Sequence, residues 1–183
     1  MQRCSWVSNN IEYIKYHDIE WGIPEHKDIK LFEMLVLESM QAGLSWLTIL
    51  LKRENYRESF DNFNYEKIAL YDSNKISELL NNKGIIRNKL KINSIVNNAK
   101  AFINIQSEYG SFDEYIWKFT NYKITNDKNK EVMAEKISKE LKKRGFKFIG
   151  PKICYSFIES IGIFNNHNKN CFRYKQIEKL NNV

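Results

Sequence analysis

Apolar residues recur along most of this chain at intervals of three and four, the period of a helix with one buried face, and no stretch alternates as a strand would. The pattern predicts helices over 9–17, 28–42, 46–53, 54–61, 64–69, 73–81, 85–107, 111–118, 130–144 and 151–161. Asp28 and Ser73 stand where two of these helices should be capped. Gly43, Gly110, Gly145 and Gly162 stand where helices should stop. The polar run from Asn121 to Lys130 reads as a loop. No repeat or low-complexity linker divides the sequence, so a mostly helical, all-α fold in one unit over 1–183 is expected.

One helix breaks its own pattern. Residues 31–46 are apolar around nearly the whole wheel, yet Glu38 shares a face with Leu31, Met34, Leu35 and Ala42. A carboxylate buried there costs several kcal/mol unless it is paired or neutral. The run ends in Gly43-Leu44-Ser45-Trp46, a turn that sets a large aromatic beside the acid. An acid meeting an aromatic suits a flat, polar, cationic ligand. A structural glutamate bonded to a nearby arginine or to backbone amides explains the same residues, and this segment alone leaves the two readings level.

At 183 residues the chain can bury a substantial core, and 43% hydrophobic with 14% aromatic residues marks it as globular. The net charge of +7, from 29 basic against 22 acidic residues, points mildly to nucleic acid. Most of the cations are lysines in an Asn-rich chain, so biased composition accounts for the charge equally well. Met-Gln-Arg-Cys-Ser-Trp carries no signal-peptide pattern, and no apolar run reaches membrane-spanning length. Three cysteines do not make a disulfide scaffold. A cytoplasmic, monomeric protein with reduced thiols and no membrane partner is expected.

Four residues with metal-binding side chains sit at the two ends: Cys4 and His17 near the start, His167 and Cys171 near the finish. Two Cys and two His suit tetrahedral zinc, and a site built wholly from protein ligands would be structural, clasping termini that otherwise fray. The spacing of Cys4 and His17 matches no common zinc finger, so chance placement stays open. If the clasp forms, 1–20 and 162–183 make a terminal lobe on a helical body over 21–161. Cys154, among Ile153, Tyr155 and Phe157, reads as a core thiol, and His26 as a surface residue.

Residues 131–144 put Val132, Met133, Ile137 and Leu141 on one side of a helix and Lys136, Lys139, Lys142, Lys143 and Arg144 on the rest. Gly145-Phe146-Lys147-Phe148-Ile149-Gly150-Pro151-Lys152 follows, then a second apolar helix whose first turn suits Pro151. The hairpin at 145–151 resembles the helix-hairpin-helix element of DNA-binding proteins. Gly145 and Gly150 would let backbone N–H groups approach a phosphate, and Lys147 and Lys152 would add charge. Such an element positions DNA without reading its sequence. An ordinary helical hairpin with a solvated basic face is the plainer alternative.

Read together and in order, these stretches resemble the bacterial 3-methyladenine DNA glycosylase I family. The matching residues are Arg3-Cys4 with Trp6, Tyr13, Tyr16-His17-Asp18, Glu20-Trp21-Gly22, Leu31-Phe32-Glu33 through Leu37-Glu38 and Gln41-Ala42-Gly43-Leu44-Ser45-Trp46. Lys52-Arg53-Glu54-Asn55-Tyr56, Gly84-Ile85-Ile86-Arg87, Lys143-Arg144-Gly145-Phe146-Lys147-Phe148, Ile153-Cys154-Tyr155-Ser156-Phe157, His167 and Cys171 complete the set. The resemblance implies a helix-hairpin-helix glycosylase fold and one structural zinc ion on Cys4, His17, His167 and Cys171. It implies a base pocket in which Glu38 and Tyr16 act on a base stacked by Trp46, with Trp6, Tyr13 and Trp21 as further walls. The loop after residue 121 is short beside some relatives. Most other helix-hairpin-helix glycosylases carry a catalytic Asp after the hairpin. No Asp follows Asp127 here, and the resembled family also lacks it. The only acids beyond the hairpin, Glu159 and Glu178, sit in no matching context.

The implied substrate is double-stranded DNA carrying alkylated adenine, and the implied reaction is release of 3-methyladenine without strand cleavage. Glu38 would select adenine lesions through the exocyclic amine. Leu44 is either a wedge that fills the vacated stack or a core residue. Three alternatives remain: a non-catalytic DNA-binding module with the same hairpin and clasp, a small-molecule enzyme using Glu38 as acid or base, and a glycosylase with a wider lesion range.

Overall fold

A computed structural model describes residues 1–125 and 129–180 of the protein; the middle of the polar 121–130 run and the last three residues of the expected terminal lobe lie outside the described residues. Ten α-helices are described. In chain order they are α1 (Ile11–Ile19), α2 (Asp28–Gln41), α3 (Trp46–Ser59), α4 (Tyr65–Ile68), α5 (Ser73–Asn81), α6 (Lys89–Tyr109), α7 (Phe112–Trp117), α8 (Lys130–Lys143), α9 (Pro151–Ser160) and α10 (Phe172–Leu180). Among the described residues the one β-type pairing is an isolated bridge between Thr125 and Phe164.

Polar residues fix most of the helix starts. The side chains of Asn10, Ser45, Asn88 and Ser111 each accept a hydrogen bond from a backbone N–H in the turn they cap, satisfying donors that a helix start leaves orphaned. Two expected caps are placed differently. Asp72, not Ser73, caps α5 through Lys75 N. Asp28 is the first residue of α2, and its carboxylate instead accepts from Phe112 N and Asp113 N at 2.9 and 2.8 Å, capping α7 across the fold. The expected helices 46–53 and 54–61 are one continuous α3, because nothing between Arg53 and Glu54 breaks the helical hydrogen bonding. The helix expected from 85 begins only at Lys89. Residues 82–88 form a turn in which Gly84 lies so close to Asn55 that a Cβ there would come within 2.8 Å of its side chain. Helix α10 was not anticipated, because Ile177 is its only buried residue and it shows no apolar stripe. Gly43, Gly110, Gly145 and Gly162 all follow helix ends with φ between 79° and 93°, the left-handed conformation that glycine adopts without strain.

Helix α2 is the centre of the molecule. Every residue from Leu31 to Met40 is buried, and α3, α6, α7 and α9 pack around it. Two acids share this interior and are treated oppositely. Glu33 takes Arg53 Nε at 2.7 Å, Arg57 Nε at 2.8 Å and Lys30 Nζ at 2.8 Å, while Arg53 also grips Glu20 through both terminal nitrogens. Burial alone would raise the Glu33 pKa; its cations overturn that and hold it below the ordinary value. This network ties α1, α2 and α3 together. Glu38, one and a half turns further on, receives no such partner.

His26, expected at the surface, is exposed yet engaged: its ring lies 4.7 Å from that of Trp117, and Nδ1 lies 2.9 Å from Asp113 Oδ1. Cys154 is fully buried in the core.

Candidate active site, metal cluster and DNA-facing hairpin

Glu38 lies on a cavity of about 290 Å³ lined also by Trp6, Tyr13, Tyr16, Trp21, Gln41, Trp46, Ser156, Glu159 and Asn166. All six residues expected in the base pocket therefore meet. Helix periodicity explains two of them, since Tyr13 and Tyr16 are one turn apart on α1. Trp46 arrives because Ser45 caps α3 and turns the chain at that point. The rings form a connected wall. Trp6 meets Trp21 edge-on at 4.9 Å and Tyr13 at 5.8 Å, and Tyr16 lies 5.2 Å from Trp46. Trp6, 39% exposed, stands at the mouth.

Two polar atoms in this wall are buried without a protein partner: Glu38 Oε2 and Trp46 Nε1. One is an acceptor and the other a donor, and a buried polar group left unpaired costs about 1–3 kcal/mol. The reading of Glu38 as a structural acid tied to an arginine fails here; Glu33 is the acid that fits that description. Burial, reinforced by the negative charge of Glu159, pushes the Glu38 pKa up to about 8. Burial and then Glu38 raise that of Tyr16 well above its ordinary value, so its hydroxyl keeps its proton.

Behind the aromatic wall, Cys4, His17, His167 and Cys171 are all buried, and their ligand atoms lie within 4.8 Å of one another. Cys171 Sγ is 3.4 Å from His17 Nε2, and Cys4 Sγ is 3.5 Å from His167 Nδ1. A tetrahedral ion with ordinary metal–sulfur and metal–nitrogen lengths separates S and N ligands by roughly 3.6 Å. Two thiols and two imidazoles gathered this closely are a donor set that suits a metal ion. His17 Nδ1 meets Asp18 Oδ1 at 2.8 Å, leaving Nε2 to face the cluster, and Arg3 holds Asp18 through three contacts of 2.7–3.0 Å. Gly22 is required beside this cluster: its φ is +73°, and a Cβ would lie 3.0 Å from His167 Nε2. Trp6 contacts His17 and Trp21 contacts His167, so the cluster and the cavity share a wall.

The hairpin joins α8 to α9, and α6 holds its backbone. Asn97 Nδ2 donates to Gly145 O at 2.6 Å, while Asn98 accepts from Lys147 N at 2.7 Å and donates to Lys147 O at 3.0 Å. The N–H of Gly145 closes on Lys142 O, so this glycine shapes the turn rather than offering a donor. Gly150 caps α9 and Pro151 opens it, with no side chain bonded to the helix start. Lys147 and Lys152 are exposed, as is Phe148, 41% exposed at a φ of +54°. Leu44 is 39% exposed on its turn, which removes the core reading of that residue.

The methyladenine glycosylase family model matches residues 6–174. The chain belongs to the methyladenine glycosylase family. It is 42% identical over 182 residues to DNA-3-methyladenine glycosylase 1 of Escherichia coli (strain K12), covering 95% of this chain and 97% of that one. Identity to the DNA-3-methyladenine glycosylase of Haemophilus influenzae is 45% over 177 residues, with 92% and 96% covered. A solved 3-methyladenine DNA glycosylase I in complex with 3-methyladenine superposes with a TM-score of 0.87 at 36% identity, over 94% of this chain and 97% of that one. The helical architecture is therefore that of the family.

Sequence reasoning missed Gln41, Ser156, Glu159 and Asn166 as cavity residues. A signal was present for two of them. Lys152, Ser156 and Glu159 fall on one face of α9 at spacings of four and three, a polar stripe on an otherwise apolar helix. That stripe runs from the hairpin to the cavity. Lys152 and Ser156 share a groove, and Ser156 and Glu159 share the cavity.

Proposed function

We propose that this protein repairs alkylated DNA by hydrolysing the N-glycosidic bond of 3-methyladenine, releasing the free base and leaving an abasic site. The observation that carries the reading is the pair of unpartnered buried atoms, Glu38 Oε2 and Trp46 Nε1, facing a cavity walled by aromatic rings. An empty apolar pocket needs neither. A flipped adenine with a positive ring gives each a use.

Adenine methylated at N3 is cationic while attached to the sugar and leaves as a neutral molecule, so its glycosidic bond needs little assistance. Trp46, with Trp6, Tyr13 and Trp21, stacks against the charged ring, a contact worth about 2 kcal/mol when desolvated. Glu38 accepts from the exocyclic amine. A guanine lesion presents a carbonyl there, which the Glu38 carboxylate cannot pair with, so selectivity follows from the mismatch. Tyr16, its hydroxyl protonated, contacts the base edge. As the C1′–N9 bond breaks, its electron pair moves to the base and cancels the positive charge. Water bonds to C1′ and loses its proton to solvent. No lysine lines the cavity among the described residues, which supports hydrolysis without a Schiff-base intermediate or strand cleavage.

Double-stranded DNA is held by the hairpin. Lys147 and Lys152 meet phosphates, Gly150 opens the start of α9 to them, and Gly145 shapes the turn. Leu44 fills the gap left by the flipped nucleotide. The metal is zinc, one structural ion on Cys4, His17, His167 and Cys171, fastening the termini beside the pocket. The protein acts as a monomer.

The test is chromatography of bases released from DNA treated with a methylating agent. Free 3-methyladenine without 7-methylguanine is the expected result. Release of both would remove the Glu38 selectivity argument. No release from folded protein that still binds DNA would leave a non-catalytic DNA-binding module.

A further inference from the structure

The cavity holds a second carboxyl group. Glu159 reaches it from α9, more than a hundred residues after Glu38 on α2, and both line the one cavity. Their surroundings differ. Glu159 accepts a hydrogen bond from Asn166 Nδ2, and Asn166 Oδ1 in turn accepts from Lys130 Nζ. Tyr155 Oη also accepts from Asn166 Nδ2 at 3.1 Å. A donor and a cation behind it favour the charged form of Glu159. Glu38 has an unpartnered oxygen and no cation of its own. The other charged groups around α2 are already engaged. Arg53 of α3 is spent on Glu20 and Glu33, and Lys91 of α6 donates to Met40 O and Ala42 O. Helix α7 meets α2 through Asp113 at its first turn, and α1 contributes Tyr16.

We infer that Glu159 is a second specificity-determining residue of the pocket: a fixed carboxylate that favours cationic over neutral bases and holds the proton on Glu38 until the cation enters. The inference rests on the function proposed above. In the empty cavity two carboxylates so enclosed do not both ionise, so Glu159 carries the charge and Glu38 the proton. Burial raises both carboxyls; the charge of Glu159 adds to the rise at Glu38, whereas the Asn166 hydrogen bond and Lys130 oppose it at Glu159. A cationic base supplies the missing positive charge. Glu38 then loses its proton to solvent, and its carboxylate accepts from the base amine. After the glycosidic bond breaks, the product is neutral and the two carboxylates repel each other again. Product release is thereby favoured at the step where the substrate charge disappears.

The test compares two ligands by quenching of tryptophan fluorescence between pH 6 and 9.5: the permanently cationic 3,9-dimethyladeninium ion and neutral 3-methyladenine. In the wild type, cation affinity rises with pH as Glu38 ionises. Glu159→Gln keeps an acceptor for Asn166 and removes the charge. At pH 9, where Glu38 is ionised in both proteins, the variant should bind the cation more weakly by on the order of tenfold. Its affinity for the neutral base should change less than about twofold, and the midpoint of the cation's pH dependence should fall, because Glu38 has lost its charged neighbour. Glu159→Asp, which keeps the charge, should restore the midpoint. Equal losses for both ligands, or an unmoved midpoint in Glu159→Gln, would overturn the inference and assign Glu159 to packing alone. Base release from methylated DNA by the wild type is measured alongside. Its failure would sink the glycosylase reading, whereas release with an unmoved midpoint removes only the role of Glu159.

Discussion

Replacing Glu38 with Gln should stabilise this protein while disabling it, and the stability gain should depend on pH in a defined way. In the folded state the Glu38 carboxyl keeps its proton up to about pH 8, against an ordinary value of 4.5. The sign follows from proton counts. Between these two values the folded chain holds a proton that the unfolded chain has released, so stability falls as pH rises through that window. Each pH unit is worth ~1.4 kcal/mol. By pH 7 the gap from 4.5 is about 2.5 units, which puts the penalty at about 3 kcal/mol, a large share of the 5–15 kcal/mol typical of a domain. Gln fills the same space and does not titrate. Denaturant unfolding of wild type and Glu38→Gln at pH 4.5, 5.5, 6.5 and 7.5, followed by tryptophan fluorescence, isolates the term, because other titrating groups act similarly on both proteins. The stability difference should grow steadily in favour of the variant across that range. A difference that stays constant with pH would refute the reasoning, since it would mean that Glu38 is charged in the folded protein and has a partner. The same variant should release 3-methyladenine poorly, separating the cost of the acid from its use.

The other expectations concern the frame around the pocket. Arg53→Met should destabilise the protein by about 3 kcal/mol in denaturant unfolding, because Glu33 stays buried with one cation fewer. Arg53→Lys should recover only part of the loss, since it cannot grip Glu20 and Glu33 together. Gly162→Ala should lower the melting temperature sharply: φ is +79°, and the new Cβ would lie 2.5 Å from Ile23 C and Pro24 N. Gly43→Ala, at φ +81° with nothing within 4 Å, should cost only ~1–2 kcal/mol. Cys4→Ser should reduce bound zinc measured by elemental analysis and lower the melting temperature, and a chelator should lower that of the wild type but not of the variant. Lys147→Ala should weaken binding to damaged and undamaged duplexes alike and reduce the slope of log affinity against log salt by about one.

Much of the architecture was legible because it is local. Helix period, capping side chains and terminal glycines act within a few residues, and Gly43, Gly110, Gly145 and Gly162 end their helices as the pattern requires. Where the reading slipped, the cause lay elsewhere in the chain. Asp28 looked like a cap for its own helix and serves α7, because the N–H groups of Phe112 and Asp113 are brought to it by packing. Helix α10 has one buried residue and no stripe to betray it. The metal residues were visible as a set by type and by their places at the two ends. Their meeting within 4.8 Å is a product of the fold.

The sequence by itself determined that α2 is buried and that its interior stretch carries two acids, Glu33 and Glu38. It marked Glu38 as the acid out of pattern but could not say which of the two would find a cation. Glu33 and Glu38 sit in the same helix among the same kinds of neighbours, and no local rule separates them in this respect. The tertiary structure decides, because charge acts through space. Packing α3 against α2 delivers Arg53 and Arg57 to Glu33 and nothing to Glu38. Packing α9 against the same helix brings the carboxyl of Glu159 to the cavity that Glu38 faces. One acid becomes a fastening and the other faces a cavity without a partner, and the difference lies wholly in which distant side chains the fold sets beside them.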